Sequence, residues 1–259
     1  MNSFQSSIAA NVASVRQRIH ETAIRSGRSE ADVKLVAVTK YASTTDGVVE
    51  ALLAAGCHDF GESRPQHLQE KAGHFAETVH PNPLSERREI RGSEGIKEEI
   101  RWHLIGPLQR NKVRKILPLV SLIHSVDSVR LAEAIDRIAD ELSEEIGASI
   151  KPRCLLEVML SNDDAKHGFE PEELPAVLDR LAALRHVSFR GLMGMSGLNA
   201  SDAEIRRQFA TLRQCAELLR ERGTPSNVSL TELSMGMSED FEIAVEEGAT
   251  FLRIGSLLY

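Results

Sequence analysis

The spacing of apolar positions changes period many times along this chain. Ile8, Val12, Val15, Ile19 and Ala23 recur at intervals of three and four, which predicts a helix over residues 4–26 with Gly27 as its stop. Residues 35–39, "LVAVT", are a short β-branched run and predict a strand. "VVEALLAAG" predicts a helix capped by Thr44 or Thr45 and ended by Gly56. A strand and turn at 58–63 follow, and Pro65 opens a helix to about Lys71.

The alternation continues beyond residue 100. Strands are expected at 101–106, 119–126, 153–160, 187–195, 227–233 and 250–255. Helices fall between them: "QRNKVRKIL", a long one capped by Asp127 or Ser128, one from Pro171 to about Leu184, one behind the capping box "SDAE" at 201–204, and one from Ser238 to Glu247. Eight strands result, each but the last followed by a helix. That order implies a parallel sheet, and 259 residues in eight such units imply a single closed (β/α)8 (TIM) barrel, an α/β fold, with an additional N-terminal helix. An open doubly wound sheet is the alternative; its glycine-rich turn after strand one is missing, because "TKYAST" stands there. One domain, 1–259, is expected, interrupted at 76–100 by a polar insertion on the face opposite the chemistry.

Composition narrows the function. Aromatic residues are 4%, so the core must be mostly aliphatic. A net charge of −7 speaks against nucleic acid as a partner. Cys57, Cys154 and Cys215 are widely spaced, as expected of reduced thiols in a cytoplasm. No run approaches a membrane span, and the first residues lack the layout of a secretory signal. The nine histidines include no metal-binding spacing, so no metal site is expected; His103 and His124 are expected as satisfied structural residues or distant pocket lining.

In a barrel of this kind the functional groups stand at the C-terminal ends of the strands. Lys40 ends the first, and a desolvated lysine there is a nucleophilic amine. Ser234, Gly236 and Ser238 follow strand seven, and Gly255 and Ser256 follow strand eight, where such barrels often bind phosphate. Arg253 alternates with Leu252 and Ile254 and is expected to point inward, toward a ligand ring nitrogen or a carboxylate. Glu62 and Met195 end two further strands at the same rim. An amine facing a phosphate cradle fits a phosphorylated aldehyde, of which pyridoxal 5'-phosphate (PLP) is the obvious one.

"VAVTK", "FGES", "WHLIGPLQRNK", "HSVDS", "LLEVMLSNDDAKHGF", "RGLMGMS" and "LSMGMSEDFEIAVEEGATFLRIG" occur in this order. This series closely resembles the YggS/PROSC family of pyridoxal phosphate homeostasis proteins, from about residue 8 to the C-terminus. The resemblance implies a barrel of the alanine racemase N-terminal type that holds PLP as a Schiff base on Lys40 without established turnover. It implies phosphate on Ser238, Gly255 and Ser256, Arg253 at the pyridine nitrogen, and Lys166 near the pocket. The chain departs from the family at Thr39 (usually Ser), Ala42 (often a second lysine) and Ser63 (an asparagine), and Arg64 adds a positive charge at the mouth. The expected role is PLP buffering or delivery by a monomer, with apo PLP-dependent enzymes as possible recipients. The alternative is a PLP-dependent amino-acid racemase. A racemase needs two opposed bases, and the second base in the related racemases is a tyrosine from an added β-domain; this chain has two tyrosines, Tyr41 and Tyr259.

Overall fold

The computed structural model describes residues 3–76, 100–161 and 167–259. Nearly all of the 76–100 insertion, and Lys166, lie outside the described residues. The strands are β1 (Lys34–Val38), β2 (Asp59–Glu62), β3 (Arg101–Leu104), β4 (Leu122–Val126), β5 (Arg153–Glu157), β6 (Ser188–Met193), β7 (Val228–Ser234) and β8 (Phe251–Ile254). They form one parallel sheet in sequence order that closes where β1 pairs with β8, Lys34 beside Phe251 and Ala37 beside Ile254. Closure removes both sheet edges and excludes the open doubly wound alternative.

The helices are α1 (Ser3–Arg25), α2 (Val48–Ala54), α3 (Pro65–Ala76), α4 (Val113–Ile116), α5 (Val129–Ile146), α6 (Leu174–Leu181), α7 (Asp202–Arg222) and α8 (Phe241–Glu246). No helix follows β8 among the described residues, and α1 packs between α8 and α2 in the gap that this leaves. Ile8, Val12, Val15, Ile19 and Ala23 are the buried stripe of α1, and each of the larger side chains contributes roughly 1.5–3 kcal/mol by leaving water. Arg18 and Arg25 on its other side pair with Glu242 and Glu246 of α8. No helix among the described residues is long and apolar enough to cross a membrane.

Several boundaries differ from the sequence pattern, each for a local reason. Neither Thr44 nor Thr45 caps α2. The N-cap position is Gly47, and the Asp46 carboxylate just before it accepts from the N–H groups of Val48 (3.0 Å) and Ser43 (2.6 Å). Helix α3 runs five residues past Lys71, because Ala72 and Phe75 continue its buried face. β4 starts at Leu122 rather than 119, because Leu117–Leu119, with Pro118, form a 3-10 turn. Ser238 is not a helix cap: residues 238–240 form a turn, and α8 begins at Phe241 behind Asp240. Ser128 and the Ser201–Glu204 capping box stand as the sequence predicts.

The pleat sorts side chains into two layers. Val36, Leu122, Leu155, Met193 and Phe251 fill the barrel interior. Ala37, Phe60, Leu104, Ile123 and Leu252 face outward to the helices.

Candidate functional site

The C-terminal end of β1 is held by two side chains from distant parts of the chain. Tyr259 donates its hydroxyl to Val38 O at 2.9 Å, and Lys71 donates its ammonium to Thr39 O at 2.6 Å. Lys71 is 3% exposed and also pairs with the Glu62 carboxylate, which accepts from the Thr39 hydroxyl at 2.7 Å. The two carbonyls before Lys40 are thereby fixed. Lys40 itself lies past the strand in a turn, exposed, with its ammonium 4.9 Å from the centre of the Tyr41 ring. The expected desolvation by the strand is therefore not present. The wall stops at Val38, and the side chain stands free on the rim.

The turns after β7 and β8 lie side by side, since these strands are neighbours. Gly236 has φ +89°, and a Cβ there would fall 2.4 Å from the Ala244 Cβ. Its turn is braced by Asp240, which accepts from Met237 N–H at 2.6 Å and from the Ser196 hydroxyl at 2.5 Å. Gly236→Ala is expected to cost on the order of 1–3 kcal/mol in urea unfolding, from overpacking and positive-φ strain. A loss below about 0.5 kcal/mol, the size of an ordinary surface change, would mean that the turn relaxes freely.

The N–H groups of Ser238, Gly255 and Ser256 donate to no acceptor among the described residues. Gly255 also abuts the end of β1: a Cβ there would come 3.0 Å from Val38 O. The turn after β8 thus touches the strand that leads to Lys40. Undonated N–H groups on a tight turn form an anion-binding concavity. They come here from the turn, not from a helix start as the sequence pattern suggested.

Arg253 points into the barrel as its alternation predicts and is 5% exposed. Its acceptors are the Ser234 hydroxyl (2.6 Å) and Gly194 O (3.0 Å), so two of five N–H donors are used. Burial pushes its pKa down to about 10, against the pull of Asp240 and Glu157, and it remains a cation at neutral pH. Ser234, expected in the cradle, is instead fully buried below it, because the last residue of β7 faces the interior. Its hydroxyl bonds both Arg253 and His124 Nδ1, the latter at 2.7 Å. His124 Nε2 meets His103 Nδ1 at 2.9 Å, and His103 Nε2 meets Asp59 at 3.0 Å. Arg101 closes the series with two bonds to Asp59. Both histidines are buried and hydrogen-bonded in one network.

Of the remaining expected residues, Met195 is 46% exposed on the loop after β6, and Ser63 is half-buried after β2. Ser63 O lies 2.3 Å from where a Gly106 Cβ would stand, so only glycine allows those loops to meet. The structure adds Lys71, Glu157, Asp240 and the Tyr259 hydroxyl to the residues expected at this end of the barrel. Glu157 ends β5, where burial and then Asp127 raise its carboxyl pKa. A cavity of about 820 Å³ opens at the opposite end of the barrel, lined by Arg16, Arg28, Lys34 and Arg101, far from Lys40.

The C-terminal rim therefore carries an accessible amine and undonated N–H groups on the turns after β7 and β8, with a buried cation in the barrel interior. Its residues fit a ligand with an aldehyde, a phosphate and a ring acceptor. Comparison with known proteins points the same way. Residues 5–259 match the family described as alanine racemase, N-terminal domain. The chain is 38% identical over 255 residues to the pyridoxal phosphate homeostasis protein of Pseudomonas aeruginosa, covering 98% of this chain and 95% of that one. It is similar to the solved structure of PipY from Synechococcus elongatus with PLP bound (TM-score 0.77, 35% identity, 97% and 99% of the two chains). An alanine racemase from Clostridium difficile shares the fold at 15% identity (TM-score 0.66), with 96% of this chain matching 55% of that one.

Proposed function

We propose, from the premise that this chain belongs to the pyridoxal phosphate homeostasis proteins within the alanine racemase N-terminal domain family, that it holds PLP on Lys40 in order to buffer or deliver it. PLP brings an aldehyde that condenses with a lysine amine to a Schiff base, releasing one water. Lys40 supplies that amine from a fixed backbone. The N–H groups of Ser238, Gly255 and Ser256 take the phosphate, and unused N–H groups of Arg253 face the pyridine nitrogen. Ser63 and Met195 line the rim, and Lys166 is assigned to the pocket on the family resemblance alone. The observation that carries this reading is the contact of Gly255 with Val38 at the end of β1, two residues before Lys40.

A non-enzymatic role fits the residues better than racemisation does. A guanidinium at the ring nitrogen does not readily give up a proton, so it leaves the ring a weak electron sink. The Tyr259 hydroxyl is engaged by Val38 O, and Tyr41 sits next to Lys40 rather than across from it. Neither can serve as the opposed second base that racemisation requires. A cytoplasmic location and hand-off to apo PLP-dependent enzymes complete the proposal.

Borohydride reduction of PLP-loaded protein, followed by peptide mapping, is expected to place one pyridoxyl label on Lys40. A label elsewhere, or none, would overturn the assignment. Measurable racemisation of alanine or serine by the purified protein would replace the carrier by an enzyme.

A further inference from the structure

We propose that His103, His124 and Ser234 are positioning residues: a directed hydrogen-bond chain, with every proton pointing from the rim toward Asp59, that presets Arg253 for the pyridine nitrogen. This rests on the cofactor reading above for what Arg253 faces, but not for the chain itself. The order of protons follows from the partners. Two bonds from Arg101 and one from His103 outweigh burial and hold the Asp59 carboxyl well below its usual range, so it is ionised and only accepts. His103 Nε2 must then be the donor to it. Burial, then the neighbouring His103 and Arg253, lower the His124 pKa strongly, so this ring is neutral and carries one proton. If that proton is on Nε2 it goes to His103 Nδ1, and Nδ1 of His124 is left to accept from the Ser234 hydroxyl. Ser234 Oγ then offers its lone pair to Arg253 Nη1.

The reverse order fails at Ser234. Were His124 to donate through Nδ1, Ser234 Oγ would receive two protons, from His124 and Arg253. Its own proton would have no acceptor, since the hydroxyl is fully buried and has no third partner among the described residues. A buried unpaired donor is strongly disfavoured. Only the order Arg253 to Ser234 to His124 to His103 to Asp59 gives the Ser234 hydroxyl and all four ring nitrogens a matched partner. The chain crosses the barrel interior from β8 through β7, β4 and β3 to β2, at positions that hydrocarbon side chains occupy elsewhere. A purely structural filler would not need one proton order; a device that fixes the plane of a guanidinium does.

Nitrogen NMR of the PLP-free protein, labelled with ¹⁵N-histidine, tests the order directly at neutral pH. Both His103 and His124 are expected to be protonated at Nε2 and bare at Nδ1. Either ring protonated at both nitrogens, or His124 protonated at Nδ1, overturns the proposal. Binding supplies a second readout. His124→Phe, which keeps a ring beside Phe251, and Ser234→Ala are each expected to weaken PLP binding about tenfold, the worth of one neutral hydrogen bond. The double variant is expected to lose about tenfold as well, because both changes cut one chain. Independent losses near a hundredfold, or no loss in either variant, would refute positioning. Failure of the cofactor reading is separately visible as no label on wild-type Lys40, with the NMR result intact.

Discussion

Lys40→Ala is expected to abolish both the visible absorbance of PLP-loaded protein and its borohydride-trapped label, while leaving the fold as stable as before. The two halves have different physical causes. The amine is the group that condenses with an aldehyde, and alanine has none. Lys40→Arg keeps the charge but is equally inert, because a guanidinium does not lose its proton at neutral pH. Stability should not move, because the Lys40 side chain is exposed, and changes at such positions usually fall within about 0.5 kcal/mol. The bonds that hold the end of β1 reach Val38 O and Thr39 O, and both survive the substitution. Weak non-covalent binding should persist, since the cradle and Arg253 are untouched. Absorbance titration beside thermal unfolding measures both halves. A retained visible band sinks the assignment; a large drop in unfolding temperature would instead give Lys40 a structural role.

The barrel was legible in the sequence because its strands and helices carry strong local signals: β-branched runs, glycine stops after α1 and α2, and the capping boxes. Arg253 was legible because a parallel strand alternates strictly, and a cation between Leu252 and Ile254 has to face inward. What stayed hidden depends on non-local partners. Arg253 finds its acceptors on Ser234 and Gly194, and no local pattern links these three positions. Ser234 was placed in the cradle because serine after a strand resembles turn chemistry; it is one residue too early, and the pleat turns it inward. Lys71 did leave a trace. It shares a helical face with Leu68, Ala72 and Phe75, all buried, and a lysine on an apolar stripe needs a buried carboxylate. Glu62, two residues after Phe60 on the same outward side of β2, was that carboxylate. Cap positions such as Gly47 for α2 depend on turn geometry that composition does not resolve.

Lys71→Met is expected to cost about 3–5 kcal/mol, the usual penalty for stranding one member of a buried ion pair. Glu62 is fully buried, and its Oε2 has no hydrogen-bond partner among the described residues, so losing Lys71 leaves the carboxylate there with the Thr39 hydroxyl alone. Against a total stability of about 5–15 kcal/mol for a typical domain, that loss is severe. It should also reach the site, because Lys71 holds Thr39 O, one residue before the lysine proposed to carry PLP. Methionine has the length to fill the space but no donor for that carbonyl. Combining Lys71→Met with Glu62→Leu removes the stranded charge, and apolar replacement of a buried pair is often neutral; most of the lost stability should return. Restored stability need not restore the anchor, since Thr39 O stays without its ammonium partner. The double variant should therefore unfold near the wild-type urea midpoint, yet bind PLP more weakly. A single variant that loses less than about 1 kcal/mol, within the range of a surface pair, would show that Glu62 finds another partner. A double variant with wild-type affinity would show that Lys71 serves the fold alone, and that Tyr259 suffices to aim Lys40.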